Sequence, residues 1–146
     1  MKSSRDDILE LFDYCWQRFR TRMDGLTDEE WRWQPGADDR VTLRWRLTHI
    51  ADTLREERNA RWLGLAPSPN PVREVVDATT ALASVEEAYA TWRGHLSSVT
   101  EESLASPIGK TAGRYGHATR RSFALHIVDE FIHHTAEAAL LRDLYT

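Results

Sequence analysis

The chain has 146 residues, 41% apolar and 29% charged, a balance that fits one globular domain spanning 1–146 and excludes a disordered polymer. Its 23 acidic and 19 basic residues give a net charge of −4, so no basic excess points to nucleic acid, and Arg114, Arg120 and Arg121 are too sparse to change that. One cysteine, Cys15, excludes an internal disulfide, no apolar run reaches the ~18 residues of a membrane span, and charges interrupt the N-terminus before any signal-like region, which together point to the cytoplasm.

In chain order, the first predicted helix runs from Ser4 to Met23. Ile8, Leu11, Phe12, Cys15, Trp16 and Phe19 recur at spacings of three and four, Ser3 or Ser4 can cap it, and Gly25 marks its end. Thr27 with Glu30 fits a capping box, so a short helical turn carrying Trp31 and Trp33 follows and stops at Pro35-Gly36. A second long helix is predicted from Thr42 to Leu63, with Leu43, Leu47, Ile50 and Leu54 as its stripe and Gly64 as its stop. Pro67, Pro69 and Pro71 make a short connector. A third helix covers Thr80 to Val99, with Leu82, Val85, Tyr89, Trp92 and Leu96 on its face. The least regular stretch, Ser106 to His117, reads as a loop or weak hairpin over a site. A fourth helix runs from Thr119 to Leu144. Four long segments with modest connections make an all-α four-helix bundle. The six Trp residues supply packing anchors or an aromatic-walled pocket.

The fourth helix carries the chemistry. Phe123, Ile127, Glu130, His134, Ala138 and Leu141 follow a core seam, and two of its positions are polar. An unpaired buried carboxylate costs on the order of several kcal/mol, so Glu130 needs a partner. Four residues apart, Glu130 and His134 meet on adjacent turns and can share one divalent ion. Pattern alone supports an exposed helical ion pair equally well. A third ligand has to come from another helix. His49 is the best candidate, although it lies about a third of a turn off its own apolar stripe. His126, four residues before Glu130, is open as a fourth ligand but reads rather as a surface group or a more remote support of the site, and His133 points about 100° away from His134 toward a surface or interface role. Glu137 can orient the His134 imidazole, or pair with Arg142 or solvent. His95 and His117 read as non-functional, although the loop position of His117 leaves a substrate role open, and Cys15 reads as a small core residue. No phosphate loop, nucleophile elbow or His-Glu-x-x-His motif is present.

Three pieces together resemble the DinB-like superfamily, which includes mycothiol-dependent maleylpyruvate isomerase and bacillithiol transferases. They are Leu26 to Trp31 with Trp33-Gln34-Pro35, Leu47 to Asp52, and His126 to Asp143. The resemblance implies an up-down-down-up bundle, usually a homodimer. It also implies a metal triad of one histidine from the second helix and two residues four apart in the last, here His49, Glu130 and His134. Many members have histidine at the Glu130 position, and the isomerase-like branch has glutamate. Some relatives have Gly-His where this chain has Ala136-Glu137.

Three protein ligands leave an open position, the arrangement of a catalytic rather than a structural ion. The donor set suits zinc or nickel. The leading expectation is a metal-dependent enzyme that activates a low-molecular-weight thiol, such as mycothiol or bacillithiol, or water, for transfer to a small electrophile. The thiol is implied by the resemblance. A metal-dependent hydrolase using Glu130 or Glu137 as base, or a non-catalytic metal- or ligand-binding protein, is the alternative.

Overall fold

The local signals for helix ends act as capping rules require. In the computed structural model, which describes residues 2–67, 69 and 71–146, Ser3 and Asp6 form a reciprocal capping box at the start of α1, Ser4–Met23. Thr27 and Glu30 do the same for α2, Asp28–Arg32. Thr42 caps α3, Leu43–Arg55, through the Trp45 amide, and Asp77 with Thr80 boxes α5, Ala78–Ser98. Thr119 caps α7, Arg120–Leu144.

Two predicted elements need correction. The helix expected from Thr42 to Leu63 is broken: α3 ends at Arg55 and a short α4 spans Arg58–Trp62. Glu56 turns extended, with φ −53° and ψ 133°, and the chain folds back so that Asn59, fully buried, donates its side-chain amide to the Thr53 and Leu54 carbonyls. These carbonyls end α3 without helical partners, so Asn59 does for this end what a cap residue does elsewhere. The helix expected from Thr80 begins two residues earlier because Asp77 is its cap. A further helix, α6, Glu101–Ala105, was not anticipated and is capped by Thr100. The irregular stretch is anchored by backbone bonds from Ile108 to Ala118 and from Gly109 to Gly116, and encloses a 3-10 turn at Lys110–Tyr115.

End-to-end contacts set the directions of the long helices. Ser4 meets Arg121 at one end of α1 and α7, and Arg22 meets Asp143 at the other, so these two run parallel. Arg5 reaches the Val99 carbonyl past the end of α5, while the Ala78 amide at its start bonds Asp28, so α5 opposes α1. Arg46 pairs with Glu137, and Trp62 packs on Phe123 with ring centroids 4.9 Å apart, so α3 and α4 oppose α7. The core is one cluster drawn from all four long helices, including Phe12, Leu47, Leu54, Trp92, Leu96, Ile127 and Phe131. Phe12 meets Phe131 edge-on at 4.9 Å, and Trp16 stacks on Tyr89 at 4.2 Å. Fold class is therefore all-α, as expected; among the described residues no helix is long and apolar enough to cross a membrane.

Candidate metal centre

On α7 the apolar seam is interrupted where the sequence places the interruption. Phe123, Ile127, Ala138 and Leu141 are buried, and between them Glu130 and His134 are half-buried. The Leu43, Leu47, Ile50 and Leu54 stripe of α3 is buried against them, and His49 sits at its edge, half-buried. This offset, which periodicity left ambiguous, aims His49 at α7: its Nε2 lies 3.1 Å from His134 Nε2. His134 Nε2 is also 3.1 Å from Glu130 Oε2. One donor atom from each of the three residues falls within 4.8 Å of the others, a grouping that can hold a metal ion.

Hydrogen bonding around His134 decides what these atoms present. His134 Nδ1 is 2.6 Å from Glu137 Oε1. A carboxylate only accepts, so Nδ1 carries the proton and donates it. In neutral His134, Nε2 is then a bare lone pair, and it faces the Glu130 carboxylate, another acceptor. Glu137 is held in turn by Arg46, at 3.2 Å through Oε2. Burial pushes the His49 imidazole below its usual pKa, with His134 adding to the effect and Glu130 opposing it. That shift favours the neutral ring, the form that ligates metals. Trp45, one turn earlier, stacks on the His49 ring at 4.8 Å and 16°, and the Arg46 guanidinium lies 5.0 Å from the Trp45 ring centre.

The other candidates separate from this cluster. Of the roles open to Glu137, the structure takes the first: Arg142 pairs with Glu30 instead, at 2.8 Å. His133 is exposed, yet it stacks on His134 at 4.8 Å and approaches Glu137 to 3.5 Å, which makes a second grouping of His133, His134 and Glu137. Both oxygens of Glu137 are already engaged there, by His134 and Arg46. His126 stays outside and lines a separate pocket with Trp62 and Phe123. The irregular stretch borders that pocket through Ile108 and Tyr115. His95 is half-buried, and burial lowers its pKa; His117 is exposed. Cys15 is buried and burial raises its thiol pKa, the pattern of an inert core cysteine. Trp45 and Arg46 were not singled out in the sequence. Their signal was available: they lie four and three residues before His49, on its side of the helix.

A family model for the DinB superfamily matches residues 11–138. A crystal structure of a conserved protein from Enterococcus faecalis superposes with a TM-score of 0.76 at 17% identity, covering 99% of this chain and 98% of that one. At that identity the likeness concerns the fold. No curated protein matches the chain.

Proposed function

This chain belongs to the DinB superfamily, and from that premise we propose that His49, Glu130 and His134 bind one catalytic divalent ion, zinc or nickel. One observation carries the proposal: His134 Nε2 stands 3.1 Å from both His49 Nε2 and Glu130 Oε2 while Nδ1 meets Glu137, so that in the neutral, ligating ring its lone pair faces the Glu130 carboxylate. A cation between them turns repulsion into ligation. Donor atoms bound about 2.0–2.2 Å from one ion stand about 3–3.5 Å apart, which the two 3.1 Å separations match.

Three ligands leave room for an exogenous one. When bound, the ion supplies Lewis-acid stabilisation of a thiolate or hydroxide. The protein supplies the rest. Glu137 fixes the His134 tautomer and ring orientation, Arg46 balances the Glu137 charge, and Trp45 shields one face of His49. Our reading is a transferase that moves a low-molecular-weight thiol, such as mycothiol or bacillithiol, onto a small electrophile. We extend it to a cytoplasmic homodimer in which 1–146 acts as one domain. A hydrolase is disfavoured because neither carboxylate is a free base: Glu130 is assigned to the ion and Glu137 is held by two partners.

Metal analysis of wild type against His134→Ala tests the centre. The variant is expected to lose the ion, and equal content in both removes His134 as a ligand. Consumption of mycothiol or bacillithiol by the metal-loaded protein with a panel of electrophiles tests the transfer. No consumption by fully loaded protein removes the thiol reading.

A further inference from the structure

A cavity opens beside the N-terminal half of α7, lined there by Ser122, Phe123 and His126. Its volume is about 310 Å³, at the small end of the range for ligand pockets. Trp62 from α4, Tyr115 from the 3-10 turn and Phe123 from α7 supply aromatic walls, with Trp62 centred 6.3 Å from Tyr115 and 4.9 Å from Phe123. The polar groups among these walls are few: Arg58, Ser122 and His126. Ser122 already donates its hydroxyl to the Thr119 carbonyl, which leaves Arg58 as the cationic donor, with His126, the Trp62 indole N–H and the Tyr115 hydroxyl as the other polar groups of the lining.

Arg58 is held in an unusual way. Its guanidinium carbon sits 4.5 Å from the centre of the Trp62 ring and 5.6 Å from that of Phe123, so two of the aromatic walls fix it. Its buried Nε makes no hydrogen bond but is ion-paired with Glu56 at 3.3 Å, which leaves the terminal nitrogens of the fork facing outward. Among the described residues its terminal nitrogens make no hydrogen bond. A second guanidinium, that of Arg114, lies 4.9 Å from the Tyr115 ring centre and donates to its hydroxyl. The pocket is thus apolar in body and cationic at its edge, which selects an apolar molecule with one anionic group. A planar guanidinium fork matches a carboxylate.

We propose that this pocket binds a small aromatic carboxylate, its ring against Trp62, Tyr115 and Phe123 and its carboxylate on Arg58. It also serves as the substrate subsite of the metal centre, a second half that rests on the function proposed above. His126, which lines the pocket, stands one turn before Glu130 on α7, about 6 Å of helix rise, so the pocket and the candidate centre are neighbours along one helix.

Calorimetric titration of chelator-treated protein with 3-phenylpropionate and with the neutral 3-phenylpropionamide tests the first half. The acid is expected to bind at least about tenfold more tightly than the amide, and Arg58→Gln, checked for unchanged melting, is expected to abolish that difference. Equal binding of acid and amide, or a difference that survives in Arg58→Gln, overturns the assignment, and so does failure of wild type to bind the acid. For the second half, the protein is loaded with paramagnetic cobalt(II) and relaxation of the probe's ring protons is measured by NMR. Enhanced relaxation is expected in wild type and not in His134→Ala, while both bind the acid. Binding without enhancement in loaded wild type overturns the subsite. Unchanged metal content in His134→Ala overturns the metal centre alone and leaves carboxylate binding standing.

Discussion

Glu137 answers to two groups at once, and each bond has a consequence. Through Oε1 it takes the His134 Nδ1 proton, and through Oε2 it takes Arg46. Supports of this kind orient a ligating imidazole and raise its basicity, and losing one typically costs 10–100-fold in metal affinity. Glu137→Ala is therefore expected to weaken metal binding by about that factor, read by competition with a chromophoric chelator, with Glu137→Gln in between because its carbonyl still accepts. Unchanged affinity in Glu137→Ala would leave Glu137 with a structural part only. Away from the site, Tyr89 donates its hydroxyl to Asp13, which also takes both arms of Arg93. Burial first, then the Asp13 hydrogen bond, push the phenol up to about 12. A folded-state pKa raised above the unfolded value near 10 gives stability that is complete below about pH 10 and is lost as pH rises through about 12. Ultraviolet titration of phenolate absorbance is expected to show a step near pH 12 that disappears in Tyr89→Phe.

At the scale of elements, the break between α3 and α4 governs where Trp62 and Arg58 stand. Asn59 holds it by giving its amide hydrogens to the Thr53 and Leu54 carbonyls from a fully buried position. Asn59→Ala strands both carbonyls, and an unsatisfied buried polar group costs about 1–3 kcal/mol. A lower melting temperature, with the Trp62 fluorescence environment altered, is the expected outcome; unchanged melting would mean that water replaces the cap at no cost. This break was not legible in the sequence. Glu56, Glu57, Arg58 and Asn59 include no glycine or proline, and the carbonyls that Asn59 serves are chosen by the fold-back itself. By contrast α1, α2 and α7 were legible because the caps of α1 and α2, Ser3 and Thr27, and the stripes of α1 and α7 are local patterns. The site divides the same way. Glu130 and His134 stand out as polar residues in an apolar seam. His49 does not, because it sits at the margin of its own stripe and only the placement of α3 on α7 gives it a direction. The Arg46–Glu137 pair depends on the register between those helices, which neither helix's own period encodes.

For the molecule as a whole, the candidate centre joins two helices whose contacting residues are 85 positions apart, His49 and His134. An unfolded chain does not hold them together, so an ion that binds there stabilises the folded state alone. Linkage gives the size: about 2.7 kcal/mol when free ion exceeds its dissociation constant a hundredfold. Melting temperature is therefore expected to rise on adding zinc or nickel to chelator-treated protein, and to fall again on chelation. His134 belongs to both groupings that can hold an ion, so His134→Ala alone cannot say which is used. His133→Ala separates them. His133 is exposed and takes no part in the His49–Glu130–His134 grouping, so its loss is expected to leave the metal-dependent rise intact, whereas His49→Ala removes it. The reverse pattern, a rise that survives in His49→Ala and vanishes in His133→Ala, would move the ion to His133, His134 and Glu137. That position would take Glu137 Oε1 away from the His134 Nδ1 proton, exchanging a braced, half-buried centre for a surface one built on a single helix and unable to tie α3 to α7.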